Sequence, residues 1–316
     1  MARFWIFLSV SLATMAVPGF FASGIPALGA PRVVATIKPI HSLAAAILEG
    51  VAEPKLLLDG AASPHSYALK PSDAKALSEA DAVIFVSKNL EVFLERAVVT
   101  LPANARIIDL EQTPGLRLLP VREGGWREAG EESGEEDDEH GHGEGGHDVH
   151  FWLDPLNAIA IARQLAHEFS AMDPAHAAQY QANAGKLETA LTALDGELKA
   201  TLADLAGRRF VVFHDVTQYF ETRYGLNSAG AITVSPERAP GAKRLAAVRA
   251  EIEVSQAICV FSEPEFPPKL VQMLTMGTNA KRGVLDEVGA AIPAGPGHYF
   301  ALMRADAGSL AACLKS

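Results

Sequence analysis

Three histidines and one aspartate lie beside segments that read as strands. His65 falls in "GASPHSYALKPSD", just past the strand-like "KLLLD". His214 ends "RFVVF", Asp286 ends "RGVL", and His150 opens "HFWLDP" at a boundary between elements. In open parallel sheets, ligands bind beyond the carboxyl ends of strands, and His65, His214 and Asp286 meet that rule. Imidazole binds zinc well, and three histidines with a fourth oxygen, from an acid or from water, make a tetrahedral site. Spacing alone does not decide the matter. Taken singly, a histidine is more often a surface or structural residue than a ligand. His41 and His167 fall in expected helices and His298 in an expected turn, and for these the structural role stands.

Known enzyme arrangements are missing. The chain has no His-Glu-x-x-His zinc-protease motif, no Gly-x-Ser-x-Gly elbow and no phosphate loop. A zinc hydrolase would also need an open metal position and a general base, and no base is apparent. Asp73 and Glu263 read as capping or hydrogen-bonding acids. The chain is therefore not expected to be an enzyme.

A second group of histidines, His140, His142 and His147, lies in an acidic, glycine-rich insert from about Glu123 to Asp148. It holds eleven acids and one arginine, so it carries nearly the whole net charge of −11. The rest of the chain is close to neutral and has no basic stripe, which argues against nucleic-acid binding. The insert has too few apolar residues to bury a core and is expected to be disordered. Its histidines are expected to collect metal weakly, the alternative being a solvated spacer.

The ligand candidates need elements to position them. Hydrophobic residues make up 49% of the 316 residues, enough for about two domains. After residue 30, strand-like and helix-like stretches alternate: "RVVATI", "KLLLDG", "AVIFVS" and "RIIDLE" alternate with helices, one of them "NLEVFLERAV" and another N-capped by Ser72. "LNAIAIARQLAHEFSAM" is a helix, and the second half alternates again through "RRFVVFH", "AGAITV", "QAICVFS" and "RGVLD". Such alternation gives parallel sheets flanked by helices. Between the halves, Leu187, Leu191, Leu194, Leu198, Leu202 and Leu205 recur at three- and four-residue steps. With Asp173 as N-cap, Pro174 in the first turn and Gly207 as stop, one helix is expected over 174–205. It is read as a rigid connector of ~48 Å at about 1.5 Å per residue.

The N-terminus reads as an export signal. Arg3 precedes the apolar "FWIFLSVSLATMAV", and small residues follow. A membrane anchor is the alternative, although the run is short for a span. Cys259 and Cys313 are the two cysteines, an even count that permits one disulfide in an exported chain or leaves two buried thiols.

Four segments together resemble a known family: "GASPHSYALKPSDAKAL", "DVHFWLDPLNA", "FVVFHDVTQYF" and "CVFSEPEF". Their order, the His-rich acidic insert before His150 and the long helix are similar to the soluble receptors of bacterial ABC importers that take up zinc and manganese. The resemblance covers nearly the whole chain after the leader. It implies an α/β fold with two β/α lobes, parallel sheets, one long rigid helix between them and a metal site between the lobes. The division implied is a signal peptide over 1–30, an N-terminal lobe over 31–172 containing the insert 123–148, a connecting helix over 173–206, and a C-terminal lobe over 207–316.

By the same resemblance, His65, His150 and His214 occupy the positions of three ligand histidines. Asp286 matches an acid that ligates metal in some relatives, and a water takes that place in others. A further route, an acid directly before the first histidine, is closed here by Pro64. Similar manganese receptors carry an acid where this chain has His214, so zinc is expected as the cargo. Cys259 and Cys313 match a pair that is disulfide-bonded in some members. The resemblance implies a periplasmic monomer that captures zinc and delivers it to an inner-membrane ABC permease, with only small lobe motions. A manganese or iron receptor of the same fold, or a metal-binding adhesin, is the alternative.

Overall fold

The computed structural model describes residues 29–98, 105–122, 146–233 and 240–315, with Met1 and Pro236. The expected leader, and His140 and His142 of the insert, lie outside the described residues. Among those described, no helix is long and apolar enough to cross a membrane.

In the first half the described elements are β1 (Val33–Ala35), α1 (Lys38–Leu48), β2 (Lys55–Leu56), α2 (Pro71–Ser78), β3 (Ala82–Phe85), α3 (Leu94–Val98) and β4 (Arg106–Asp109). The long helices α4 (Pro155–Met172) and α5 (Ala177–Leu202) follow. The second half contains β5 (Arg209–Val212), α6 (Gln218–Tyr224), β6 (Asn227–Ala231), α7 (Ala242–Val254), β7 (Cys259–Ser262), α8 (Lys269–Thr275), β8 (Lys281–Val284) and α9 (His298–Leu314).

Each half contains one four-stranded parallel sheet, in the orders β2-β1-β3-β4 and β6-β5-β7-β8. The central strands are short apolar runs buried throughout, such as Val33–Ala35 and Ala82–Phe85, as expected for sheets covered on both faces. In both sheets the chain goes first to one neighbour of the opening strand and then to the other. The carboxyl ends of β1 and β3, and of β5 and β7, therefore border a crevice. β5 pairs with β7 through Phe210 and Cys259 and through Val211 and Val260, so residues just past these strands become neighbours.

The helix expected over 174–205 is present, with a modified start and finish. Pro174–His176 and Ala203–Leu205 are 3-10 turns, and the α-helical part is α5. Asp173 does not cap it in the expected way. Its carboxylate accepts from His176 Nδ1 at 2.6 Å and Tyr180 OH at 2.9 Å, which tightens the first turn. The leucine stripe is buried as read, from Leu187 to Leu205. α5 packs on α4 and α1 of one half and on α9 of the other, and one hydrophobic core runs through these contacts.

Two helix starts differ from expectation. Pro71 takes the first position of α2, so Lys70 is the N-cap and its backbone N–H is accepted by Asp73 at 2.9 Å; Ser72 lies inside the helix. The helix expected over 89–98 shortens to Leu94–Val98. Glu91 is buried and folds back to accept from the backbone N–H groups of Val86 and Ser87, which keeps the preceding segment in a turn. Cys259 and Cys313 form a disulfide, with a Cα–Cα distance of 6.2 Å, that joins β7 to α9.

Candidate metal centre

Each ligand candidate follows a strand end or an element boundary. His65 lies in the loop after β2, His214 two residues past β5, and His150 just before a 3-10 turn, Phe151–Leu153, that leads into α4. Their three rings surround one point, with centroids 5.2–5.4 Å apart. His65, His150, His214 and Glu287 each offer one ligand atom, and these atoms all lie within 4.8 Å of one another. The expected three histidines are thus brought together, but the acid that joins them is Glu287 rather than Asp286.

The neighbours of the rings fix which nitrogen faces the centre. Asp148 Oδ1 accepts from His150 Nδ1 at 2.8 Å and from its backbone N–H at 2.9 Å. Glu263, just past β7, accepts from His214 Nδ1 at 2.7 Å and from its backbone N–H at 3.2 Å. An ionised carboxylate only accepts, so each Nδ1 keeps its proton and Nε2 is the nitrogen left to bind a metal. The hydrogen-bonding role read for Glu263 is therefore the orientation of His214.

The Nε2 atoms of His150 and His65 lie 3.3 Å apart, and those of His214 and His150 3.4 Å apart. Lone pairs pointed at each other at this distance repel unless a proton or a metal ion sits between them. A tetrahedron with zinc–nitrogen bonds of about 2.0–2.1 Å has edges of about 3.3–3.4 Å. The spacing matches that figure. Glu287 Oε2 adds the fourth corner, 3.1 Å from His214 Nε2 and 3.6 Å from His150 Nε2.

Electrostatics agree with the geometry. Burial pushes the Glu287 carboxyl up, but the charges of His214, His150 and His65 outweigh it and hold it down to about 2. Burial pushes His214 down, while Glu263 and Glu287 push it up, and the net is a ring held well above the ordinary histidine range. Without a metal, a proton on His214 offsets the two acids. A dication takes over that task when it displaces the proton.

Asp286 does not join the group. Its carboxylate accepts from the backbone N–H groups of Val288, Gly289 and Ala290 at 3.2, 2.6 and 2.7 Å, and so closes the turn that follows β8. Gly289 occupies this turn with φ +68°, and a Cβ there would lie 2.5 Å from His298. An aspartate with a glycine three residues on is a turn-forming pattern, which marks Asp286 for the backbone and leaves the longer Glu287 to reach the centre. That was the available signal, and the aspartate at the strand end masked it.

The remaining histidines are elsewhere. His147 is exposed and forms an isolated antiparallel bridge with Pro120. Val121 N–H donates to Gly146 O and Asp148 N–H to Leu119 O, so the end of the expected insert belongs to the described fold and not to the acidic run. His298 is buried at the start of α9 rather than in a turn, its Nε2 2.9 Å from Val288 O. His41 Nε2 lies 2.9 Å from Pro54 O.

Residues 33–313 match the model of the periplasmic zinc-uptake complex component A family, ZnuA. The high-affinity zinc uptake system protein ZnuA of Brucella abortus is 42% identical, with 97% of this chain and 98% of that protein aligned. The protein of the same description from Yersinia pestis is 34% identical over 91% of this chain and 92% of its own length. A crystal structure of ZnuA superposes with a TM-score of 0.76 at 25% identity, covering 90% of this chain and 99% of that one. The periplasmic zinc-binding protein TroA of Treponema pallidum shares the fold, with a TM-score of 0.74 at 21% identity, 90% of this chain and 99% of that one. The chain belongs to the periplasmic zinc-uptake component A family, ZnuA.

Proposed function

We propose that this protein captures Zn²⁺ in the periplasm and hands it to an inner-membrane ABC permease. The observation that carries the reading is the group of three histidines and Glu287, with Nε2 separations of 3.3 and 3.4 Å and two of the rings locked by carboxylates. Three neutral imidazoles and one carboxylate suit zinc better than manganese, which prefers oxygen donors. Four protein donors make the closed kind of site that holds a metal rather than the open kind that activates water.

His65 is the half-buried member, while His150, His214 and Glu287 are buried. Metal is proposed to arrive and leave on the His65 side. Two sets of bonds fasten the halves together beside the site. On one side, Gln218 and Tyr219 of α6 bond Pro120 O and the backbone N–H of Leu119, and Arg122 pairs with Asp215 and Glu221. On the other, Trp152 Nε1 donates to Glu287 O at 2.9 Å, and Tyr299 OH donates to Trp152 O at 2.8 Å. With α5 and α9 spanning the halves, release is expected through loop adjustment and not wide hinge closure. Export through a leader over residues 1–30, the two-lobe division and a monomeric state belong to the same reading. So does weak metal collection by His140, His142 and His147. Metal analysis of the purified chain after exposure to equal Zn²⁺ and Mn²⁺ tests the cargo. About one zinc per chain is expected, and preferential manganese loading would overturn it.

A further inference from the structure

Lys38 is 5% exposed and stands at the start of α1, just past β1. Its Nζ donates to Ala290 O at 2.9 Å and to Ile292 O at 3.1 Å, and lies 3.2 Å from Asp59 Oδ1. The two carbonyls belong to the loop between β8 and α9 that carries Glu287. Asp59 belongs to the loop after β2 that carries His65. One ammonium therefore uses its three donors to tie together two ligand-bearing loops from opposite halves. A turn further along α1, Ser42 Oγ donates to Pro296 O at 3.0 Å and accepts the Tyr299 N–H at 3.0 Å, which holds the far end of the same loop.

The two arms of Lys38 differ in weight. Asp59 is 80% exposed, so that ion pair is screened and weak. The carbonyl arm is half-buried and charge-assisted, the stronger kind of hydrogen bond. It acts three to five residues beyond Glu287, on the far side of the turn that Asp286 closes. The loop thus has one anchor in its own half, the Asp286 turn, and three in the opposite half: Trp152 on Glu287 O, Lys38 on Ala290 O and Ile292 O, and Ser42 on Pro296 O. Lys38 fastens Ala290 and Ile292 of the loop to the start of α1.

We propose that Lys38 is a positioning residue for the metal centre, holding the Glu287 loop so that its carboxylate completes the set begun by the histidines. The proposal rests on reading Glu287 as a ligand. Lys38 touches no metal. It acts through the loop, as outer-shell partners do when they set ligand direction.

The test is a double-mutant cycle on the full chain: wild type, Lys38→Met, Glu287→Gln and the double variant, each titrated with Zn²⁺ against a competing chelator. Lys38→Met is expected to lose about tenfold in zinc affinity, within the range for outer-shell changes. The double variant is expected to bind within about twofold of Glu287→Gln alone, since a displaced carboxylate and an absent one are equivalent. A merely structural lysine gives losses that multiply, and that outcome overturns the proposal, as does wild-type affinity in Lys38→Met. Wild-type affinity in Glu287→Gln overturns the ligand reading, and the proposal with it. Loss in Glu287→Gln without loss in Lys38→Met overturns the role of Lys38 alone. Should Lys38→Met not fold, Lys38→Leu, which also removes the donor, enters the same cycle with the same criteria.

Discussion

Asp148 Oδ1 accepts both the ring Nδ1–H and the backbone N–H of His150, at 2.8 and 2.9 Å. The same carboxylate thus sets the ring's direction and its tautomer. Asp148→Asn offers an amide that can turn its N–H₂ toward Nδ1 and draw the proton onto Nε2, removing the lone pair that zinc needs. Zinc affinity by chelator competition is expected to fall by about 10–100-fold, with the fold retained. An unchanged affinity would show that the ring is held by its other neighbours.

Glu287 and Asp286 are adjacent carboxylates with separate tasks, and single variants separate them. Glu287→Gln is expected to weaken zinc by at least about tenfold. Asp286→Asn removes a charged acceptor from three N–H groups and should cost about 1–3 kcal/mol in denaturant unfolding. Reversal of the two outcomes would return the ligand role to Asp286.

The pH dependence has opposite signs for binding and for stability. Zinc needs neutral imidazoles, and in the metal-free chain His214 is held above the ordinary range. Affinity should therefore begin to fall at a higher pH than an unperturbed histidine, near ~6.5, would give. The raised folded-state value also contributes stability to the metal-free chain that is fully present below the unfolded value near ~6.5. That contribution is lost as pH rises through the folded value. Denaturant unfolding of metal-free protein between neutral and alkaline pH should show it, and a His214→Ala variant should not.

Reduction of the Cys259–Cys313 bond, or Cys259→Ser with Cys313→Ser, is expected to cost about 2–4 kcal/mol in unfolding free energy. The bond fastens α9 to β7, away from the ligand atoms, so zinc stoichiometry should stay at about one per chain.

How much of this was legible depended on where each residue's partner lies. His65, His150 and His214 were readable because their segments carry recognisable local patterns at strand ends and boundaries. The α5 stripe was readable because its leucines keep a helical period. Glu287 was hidden by the aspartate before it, whose turn role depends on three N–H groups folded back onto it. Asp148 was hidden inside a run of like charges. Its bonds to His150 and Tyr219, and those between Leu119–Val121 and Gly146–Asp148, show that it belongs to the fold. Lys38 could not be read at all, because its carbonyl partners lie more than 250 positions away. Removal of the insert should accordingly stop at residue 145. A cut through Asp148 would disable His150 and confuse the collector with the tight site.

Anomalous diffraction at the zinc edge from crystals of the zinc-loaded chain locates the metal and its ligands. One full-occupancy peak is expected at about 2.0–2.1 Å from Nε2 of His65, His150 and His214 and from a Glu287 oxygen. A principal peak bound by Asp286, or one held by histidines other than these three, would contradict it.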